Sequence, residues 1–185
     1  MGFLIYTGLR REEILGLDWN HIHLEEGYGS VERVVVYPDS KSTVIKDTPK
    51  TKHSIRDFII PQPLAAILEA VSDKHGFIIH GRDPQDPVSL STFRRMYHSA
   101  FRKLGISEYN NHDWRTTFGT QLKEAGMTSA QIADMLGHAD TRMVETVYAR
   151  ARHEGIMKNK NTVEMLNQAY ARGTFVAPET PVSAR

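Results

Sequence analysis

Six side chains in this sequence have the chemistry needed to attack and transfer a phosphate group. In chain order they are Arg10, Lys50, His112, Arg115, His138 and Tyr148. Guanidinium groups grip phosphate oxygens through paired hydrogen bonds, and lysine and histidine side chains can move protons. A tyrosine hydroxyl can then act as the nucleophile, because a phenol can form a covalent bond to phosphorus. The set therefore suits attack on a phosphodiester without a metal ion.

Several of these residues have a plainer interpretation when each is taken alone. An arginine at a helix start, such as Arg10, is typical of a surface ion pair. Lys50 lies in a polar turn and could be a solvated hairpin tip, and Gly137-His138 could be an ordinary helix end. Tyr148 follows Val144 by one helical turn, which is typical of an aromatic at the rim of a core.

The pair His112 and Arg115 is more informative than either residue alone. At positions i and i+3 of a helix start, the two side chains project to the same side. Backbone N–H groups and the positive end of the helix dipole lie beside them, which favours an anion. The alternative is that Asp113 caps the helix while Arg115 pairs with a surface acid.

Taken together, four segments resemble the catalytic domain of the tyrosine recombinases, also called the phage integrase family. The segments are Thr7-Gly-Leu-Arg-x-x-Glu13, Pro49-Lys-Thr-x-x-Ser-x-Arg56 with the following strand, His112-Asp-Trp-Arg-x-Thr-Phe118 with Glu124-Ala-Gly126, and Leu136-Gly-His138 with Tyr148. They cover about residues 1–152. The ten-residue step from His138 to Tyr148 is similar to that in integrases of conjugative transposons and Gram-positive phages.

The resemblance implies a role for each of the six residues in breaking and rejoining DNA. Arg10 and Arg115 would hold the scissile phosphate, and Tyr148 would attack it to give a 3′-phosphotyrosyl enzyme and a free 5′-hydroxyl. His112 would serve as a base for the phenol. No metal and no cofactor would be required.

The remaining implied roles concern the leaving group and the orientation of the site. Lys50 would protonate the departing 5′-oxygen, and His138 would hydrogen-bond a phosphate oxygen. Glu13, one turn along the helix from Arg10, would steer that arginine as a neighbouring partner. Two flanking positions depart from the family pattern, since Trp114 stands where leucine is frequent and Thr116 where a second histidine is frequent.

The implied partners are double-stranded DNA, three further copies of the chain in a homo-tetramer, and an excisionase or a host DNA-bending protein. The natural context would be site-specific recombination or integration of a mobile genetic element. For direct DNA contact we predict a basic helix that carries Arg94, Arg95, Arg102 and Lys103. Segment 155–171 is predicted to pack on the catalytic domain of a neighbouring protomer, as the resemblance implies for a synaptic tetramer, and the alternative is packing on its own domain.

Composition sets broad limits on the class of protein. The chain has 185 residues, 40% of them hydrophobic and 24% charged, which is ordinary for a globular domain. Absence of cysteine excludes disulfides and thiolate chemistry. With 23 basic and 22 acidic residues, total charge neither favours nor opposes DNA binding. Without a signal peptide or an apolar run of membrane-spanning length, a cytoplasmic protein with no membrane partner is predicted.

A mostly α-helical α+β fold, the tyrosine recombinase catalytic-domain fold, is predicted to position these side chains. Val31–Tyr37, Ser42–Asp47 and Ser54–Ile60 are β-rich runs between polar turns, which predicts a small antiparallel sheet near the N-terminus. Phe77–Ile79 could add a short strand. Helical spacing predicts helices over 11–18, 63–74, 91–104, 113–125, 128–136, 140–151 and 155–171, with N-caps at Asp113, Thr128 and Asp140 and stops at Gly105, Gly126, Gly137 and Gly155.

The expected domain is residues 1–172, followed by a disordered tail over 173–185. Because the apolar segment Met1–Tyr6 is uncapped and leads directly into the first arginine, we expect a truncated or excised part of a longer protein. The family's N-terminal core-binding domain is expected to be absent from this chain.

Three other functions compete with recombination. Thr128–His138 also fits a helix-turn-helix, which would make the chain a DNA-binding regulator without catalysis. A type IB topoisomerase would use the same residues to relax supercoils. A metal-dependent hydrolase built on His21-x-His23 is the weakest alternative, because a third ligand at helical spacing is missing.

Overall fold

The computed structural model describes residues 1–39, 42–47, 56–105, 107–137 and 160–171. Its elements in chain order are α1 Gly2–Thr7, α2 Arg11–Leu15, a 3-10 turn Trp19–His21, β1 Ile22–His23, β2 Tyr28–Val31, β3 Arg33–Val36, β4 Val44–Asp47, β5 Arg56–Ile59, α3 Gln62–Glu69, α4 Leu90–Leu104, α5 Asn111–Glu124, α6 Ser129–Leu136 and α7 Lys160–Ala171. The predicted α+β class, mostly helical with antiparallel strands near the N-terminus, is confirmed. The predicted helix 140–151, Asp140, Gly155 and the tail 173–185 lie outside the described residues.

The strands form two small antiparallel sheets, β1-β2-β5 and β3-β4. β2 pairs with β5 from Tyr28↔Ile59 to Val31↔Arg56, and β3 pairs with β4 in a separate ladder. The predicted run Val31–Tyr37 is therefore divided between both sheets at Glu32. Phe77–Ile79 was predicted as a strand but forms only an isolated bridge between Phe77 and Asp18.

Helix α2 is shorter than predicted because the chain must turn at Gly16. A Cβ at Gly16 would overlap the carbonyl oxygen of Arg33, so only glycine lets the end of α2 approach β3 this closely. Asp18 then begins the 3-10 turn, and its carboxylate accepts a hydrogen bond from the backbone N–H of Asn20. Helix α3 also ends earlier than predicted, at Glu69.

The N-cap of α5 is Asn110, and the prediction of Asp113 was wrong. The Asn110 side chain accepts hydrogen bonds from the backbone N–H groups of His112 and Asp113. The Asp113 carboxylate in turn accepts from the backbone N–H of Asn110, so both residues form a capping box. Thr128 caps α6 as predicted.

Two of the three apolar clusters hold most of the helices to the sheet β1-β2-β5, and the third packs α2 on β3 through Leu15, Val35, Phe77 and Val88. The larger joins α1, β5, α3, α4 and α5 through buried side chains that include Phe3, Phe58, Leu64, Phe101 and Trp114. The second joins α5, α6 and α7 through Phe118, Leu122, Leu136 and Leu166. Burial of each side chain of this size stabilises the folded state by about 1.5–3 kcal/mol relative to leaving it exposed.

Helix α7 packs within its own chain. Leu166 is buried in the second cluster, and the Tyr170 hydroxyl donates a hydrogen bond to the carbonyl oxygen of Tyr6. In this single chain the described part of the helix adopts the alternative arrangement, packing on its own domain, while packing on a neighbouring protomer stays a prediction. Among the described residues, no helix combines the length and the apolar character needed to cross a membrane.

Candidate functional site

The described site residues come from two places in the fold. Arg10 is the N-cap of α2 and is exposed, whereas Glu13, in the first turn of that helix, is buried. His112 is exposed near the start of α5, and Arg115 is buried one turn further along. The predicted residues Lys50, His138 and Tyr148 lie outside the described residues.

The turn between α1 and α2 brings Arg10 towards α5. Gly8 has a positive φ of 60°, and a Cβ there would lie 2.5 Å from the ring of Phe118 on α5. Any other residue would be strained in this conformation and would push the two helices apart. The glycine therefore allows the first arginine segment to pack on the helix that carries the second.

Arg115 fixes this approach with two hydrogen bonds to backbone carbonyls. Its Nη1 donates to the carbonyl oxygen of Gly8 at 2.7 Å, and its Nη2 donates to the carbonyl oxygen of Leu136 at the end of α6. The guanidinium therefore connects three segments: the α1–α2 turn, α5 and the end of α6. Its position is set by contacts far apart in the chain.

Glu13 connects two further guanidiniums. Its carboxylate accepts from the backbone N–H of Arg10 at 2.7 Å and from Arg10 Nη1 at 3.0 Å. It also accepts from both Nη1 and Nη2 of Arg56, each at 2.7 Å. The predicted neighbour of Arg10 is thus in hydrogen-bond contact with it, and the carboxylate is shared with Arg56.

The pKa of Glu13 reflects this arrangement. Burial alone would raise the pKa of the carboxyl group, but the hydrogen bonds and charges of Arg56 and Arg10 outweigh it and hold the pKa below its usual value. Glu13 is therefore ionised at neutral pH although its side chain is almost completely buried.

Arg56 is the site residue that the sequence reasoning missed. It was recognised as the last residue of the lysine segment but was given no role. Alternation along β5 places Arg56 on the same face as Phe58, which is buried. A charged residue on the buried face of a strand needs a charged partner, and this was the signal that could have found it.

Gly137 is the point at which the arginines meet. It ends α6 in the left-handed conformation, and a Cβ there would lie 2.7 Å from Nε of Arg56. Arg10 Nη2 lies 3.5 Å from the carbonyl oxygen of Gly137, while Arg115 bonds the preceding carbonyl of Leu136. The three arginines therefore cluster at the end of α6, and His138 is the next residue in the sequence.

Positive charge exceeds negative charge in this cluster. Burial, followed by repulsion from Arg10 and Arg56, lowers the pKa of Arg115 to about 10, whereas Glu13 acts in the opposite direction. Arg115 is still charged at neutral pH. The Arg10 side chain is 45% exposed, so an incoming anion can reach its guanidinium.

The flanking departures from the family pattern have local explanations. Trp114 is buried, and its indole N–H donates to the hydroxyl of Tyr97 on α4. Thr116 is exposed, and its hydroxyl donates to the carbonyl oxygen of His112 one turn earlier. Neither side chain contacts the arginine cluster through these bonds.

The predicted DNA-contact residues lie on one long helix. All four are exposed on α4: Arg94, Arg95, Arg102 and Lys103. In the weakest alternative, Nε2 of His21 lies 3.2 Å from a carboxylate oxygen of Glu32. In the parts of the chain that the structure describes, no three side chains of the metal-binding types come together as a metal site.

Comparison with known proteins finds tyrosine recombinases and integrases among the relatives of this chain. A tyrosine recombinase XerC-like protein of Caldanaerobacter subterraneus subsp. tengcongensis is 27% identical over 188 residues, covering 89% of this chain and 47% of that relative. Prophage integrase IntR of Escherichia coli is 27% identical over 176 residues, covering 79% of this chain and 41% of that relative. This chain therefore spans about half, or less, of the length of these curated relatives.

Solved structures share the fold. The Tn1549 transposon integrase, determined in complex with circular intermediate DNA, superposes with a TM-score of 0.61 at 19% identity, covering 83% of this chain and 56% of that one. The integrase from mycobacterium phage Brujita gives a TM-score of 0.59 at 16% identity, covering 98% of this chain and 52% of that one.

A family model described as "Phage integrase family" matches residues 1–154, which include all six residues predicted to carry the chemistry. The match extends over both arginine segments, which a helix-turn-helix regulator would not explain. With most of the chain matched, the protein belongs to the phage integrase family.

Proposed function

We propose that this chain is the catalytic domain, over residues 1–172, of a site-specific DNA recombinase or integrase. The observation that carries the proposal is the convergence of Arg10 and Arg115, with surplus positive charge, at the turn that precedes His138. Preorganised guanidiniums in such a place stabilise the charge that grows on phosphate oxygens in a transition state.

The proposed reaction exchanges one phosphodiester for another. The Tyr148 oxygen attacks phosphorus and forms a Tyr–O–P bond, while the bond from phosphorus to the 5′-oxygen breaks. His112 accepts the phenol proton, and Lys50 gives a proton to the departing 5′-oxygen. His138 holds a non-bridging oxygen. The 5′-hydroxyl of a partner strand reverses the steps and completes strand exchange.

Because the phosphotyrosyl bond conserves the energy of the original ester, the proposal needs neither ATP nor a metal ion. The proposed substrate is double-stranded DNA, supported by the DNA complex of the Tn1549 transposon integrase. We further propose that four copies assemble on DNA and that an excisionase or a host DNA-bending protein assists them.

The test uses a DNA duplex nicked near the crossover point, so that cleavage releases a short fragment and traps the covalent intermediate. The protein should form an adduct that survives boiling in detergent, and EDTA should leave its yield unchanged. Peptide mapping should place the DNA on Tyr148. Tyr148→Phe removes only the hydroxyl and should abolish the adduct without loss of folding or binding.

Other tyrosines provide internal controls. Burial raises the pKa of Tyr97 to about 12 and raises that of Tyr170 as well, so both phenols resist ionisation. Tyr109 is 5% exposed. An adduct that persists in Tyr148→Phe, or one that disappears in EDTA, would overturn the proposed function.

The role of Lys50 has a separate test. Lys50→Ala should slow adduct formation on ordinary DNA, but a substrate with sulfur in place of the bridging 5′-oxygen should restore most of the rate. A thiolate leaves without protonation, so the general acid is no longer needed. Equal loss on both substrates would remove Lys50 from that role.

A further inference from the structure

We infer that Arg56 is a positioning residue that holds Arg10, through Glu13, in the orientation needed to bind the scissile phosphate. The inference rests on the proposed function. Arg56 itself is 10% exposed at its side chain, whereas Arg10 is 45% exposed. An incoming phosphate would therefore meet Arg10, and Arg56 would act through the carboxylate between them.

The hydrogen bonds show how the orientation is transmitted. Arg56 holds both oxygens of Glu13 with its two terminal nitrogens, at 2.7 Å each. This paired geometry fixes the plane of the carboxylate as well as its distance. Each of the same two oxygens also accepts one bond from Arg10, one from its backbone and one from its guanidinium. Rotation of the carboxylate would therefore displace Arg10.

The same side chain also packs against the end of α6. Arg56 follows Lys50 by six residues in the sequence. Its Nε, Cδ and Cζ atoms occupy the space that a Cβ at Gly137 would need, directly before His138. One buried guanidinium therefore contacts both Glu13 on α2 and the Gly137 end of α6.

An unpaired donor distinguishes this contact from a pair optimised for stability alone. Nε of Arg56 is buried without a hydrogen-bond partner among the described residues. A buried N–H without a partner costs free energy, so this fold keeps Arg56 in place despite that cost. Precise placement of the neighbouring charges is a physical reason to retain it.

The experiment measures single-turnover adduct formation at saturating nicked DNA, DNA affinity and Tm for matched variants. Arg56→Met keeps the length of the side chain and removes its charge. We expect its adduct rate to fall by about 10- to 100-fold, since a displacement of about 1 Å can have this effect on a reacting group. DNA affinity should change by less than about threefold, because exposed phosphate contacts supply most of it.

Two further variants separate positioning from folding. Arg56→Lys keeps the charge but cannot bond both carboxylate oxygens in one plane, so its rate should lie between those of Arg56→Met and wild type. The matched control is Arg33→Met, which breaks a second arginine pair with a buried carboxylate near α2, the pair with Asp18. It should lower Tm and leave the adduct rate unchanged.

A wild-type adduct rate in Arg56→Met at saturating DNA would overturn the inference, and so would an equal loss of rate in Arg33→Met. If Arg56→Met does not fold, a wild-type rate in Arg56→Lys has the same meaning. Failure of the proposed function is recognised separately, because the wild-type chain itself would then form no adduct on Tyr148.

Discussion

Two buried carboxylates near opposite ends of helix α2 pair with arginines from other segments. Arg56 pairs with Glu13 in the first turn of the helix, and Arg33 pairs with Asp18 just after the helix ends. Both carboxylate residues are buried, with 5% and 4% exposure. Their surroundings differ in the balance of charge.

The Asp18 pair is balanced and its other contacts are structural. One guanidinium meets one carboxylate, and Asp18 also caps the 3-10 turn through the N–H of Asn20. Arg33 bonds the carbonyl oxygen of Gly16 and lies over the ring of Phe77, 4.5 Å from its centre. These contacts join β3 to the end of α2 and leave no charge to be neutralised.

The Glu13 pair is unbalanced. The same carboxylate serves Arg10 as well as Arg56, and the charges of both arginines act on Arg115 nearby. The comparison indicates that one-to-one pairing holds segments together, whereas a shared carboxylate arranges guanidiniums and leaves positive charge for an anion. We expect variants at the Glu13 pair to change the rate of adduct formation, and variants at the Asp18 pair to change only the stability of the fold.

The largest difference in the rate of adduct formation is expected between Arg10→Ala and Arg33→Ala. Arg10→Ala should slow adduct formation by about 10²- to 10³-fold, because a preorganised donor to the phosphate is lost. Its effect on unfolding should be at most about 1 kcal/mol, since the side chain is half exposed. Arg33→Ala should leave the rate unchanged and lower the free energy of unfolding by about 1–3 kcal/mol.

Single-turnover rates at saturating DNA and urea unfolding measure both properties of these two variants. Equal losses of rate would show that the charge surplus does not distinguish the two pairs.

A smaller effect is expected from Gly137→Ala, with Gly105→Ala as its control. Both glycines end helices at positive φ, so alanine should cost about 1–2 kcal/mol of stability in each case. At Gly105 the new Cβ meets nothing within 4 Å, whereas at Gly137 it meets Arg56 at 2.7 Å. Only Gly137→Ala should therefore slow the adduct, by about tenfold through displacement of the arginines.

Thermal unfolding and adduct rates check this pair of variants. A wild-type adduct rate in Gly137→Ala would show that the backbone at Gly137 does not control the position of the arginines.

The stabilisation of the fold by ionised Glu13 should decrease as the pH falls. Its folded pKa is lowered, so the stabilisation is present above the unfolded value near 4.5 and is lost as pH falls through the folded pKa. At pH 7, Glu13→Gln should lower the free energy of unfolding by about 1–3 kcal/mol. The difference from wild type should shrink progressively below pH 4.5.

Urea unfolding of wild type and Glu13→Gln over this pH range measures the change. A difference that stays constant down to acid pH would show that ionisation of Glu13 does not stabilise the fold.

The smallest effect on chemistry should come from charge reversal on α4. Arg94→Glu and Arg95→Glu together should weaken DNA binding and reduce the slope of log affinity against log salt by about 0.9 for each lost phosphate contact. The adduct rate at saturating DNA should not change, because these exposed arginines lie outside the buried cluster. Unchanged binding would show that Arg94 and Arg95 are solvent-exposed residues that do not contact DNA.

Local sequence patterns predicted several elements closely. Helix α4 was expected over 91–104 and runs over Leu90–Leu104, because apolar spacing and a glycine stop act within a few residues. The cap of α5 was misplaced because Asn110 and Asp113 are both good capping residues and bond each other. The predicted strand Val31–Tyr37 is divided between the two sheets. Hydrogen-bonding partners on other strands, and not the β-propensity of its residues, decide to which sheet each part belongs.

By itself, the sequence determined which chemical groups are present and which family the chain resembles, since both depend on residue types in order. It also indicated that Glu13 would lie beside Arg10, because three residues along a helix bring side chains together. Only the tertiary structure showed that Arg56, 43 residues from Glu13, shares that carboxylate, and that Arg115 bonds the carbonyl of Gly8, 107 residues away. Such contacts arise from packing of distant segments, which no local periodicity encodes.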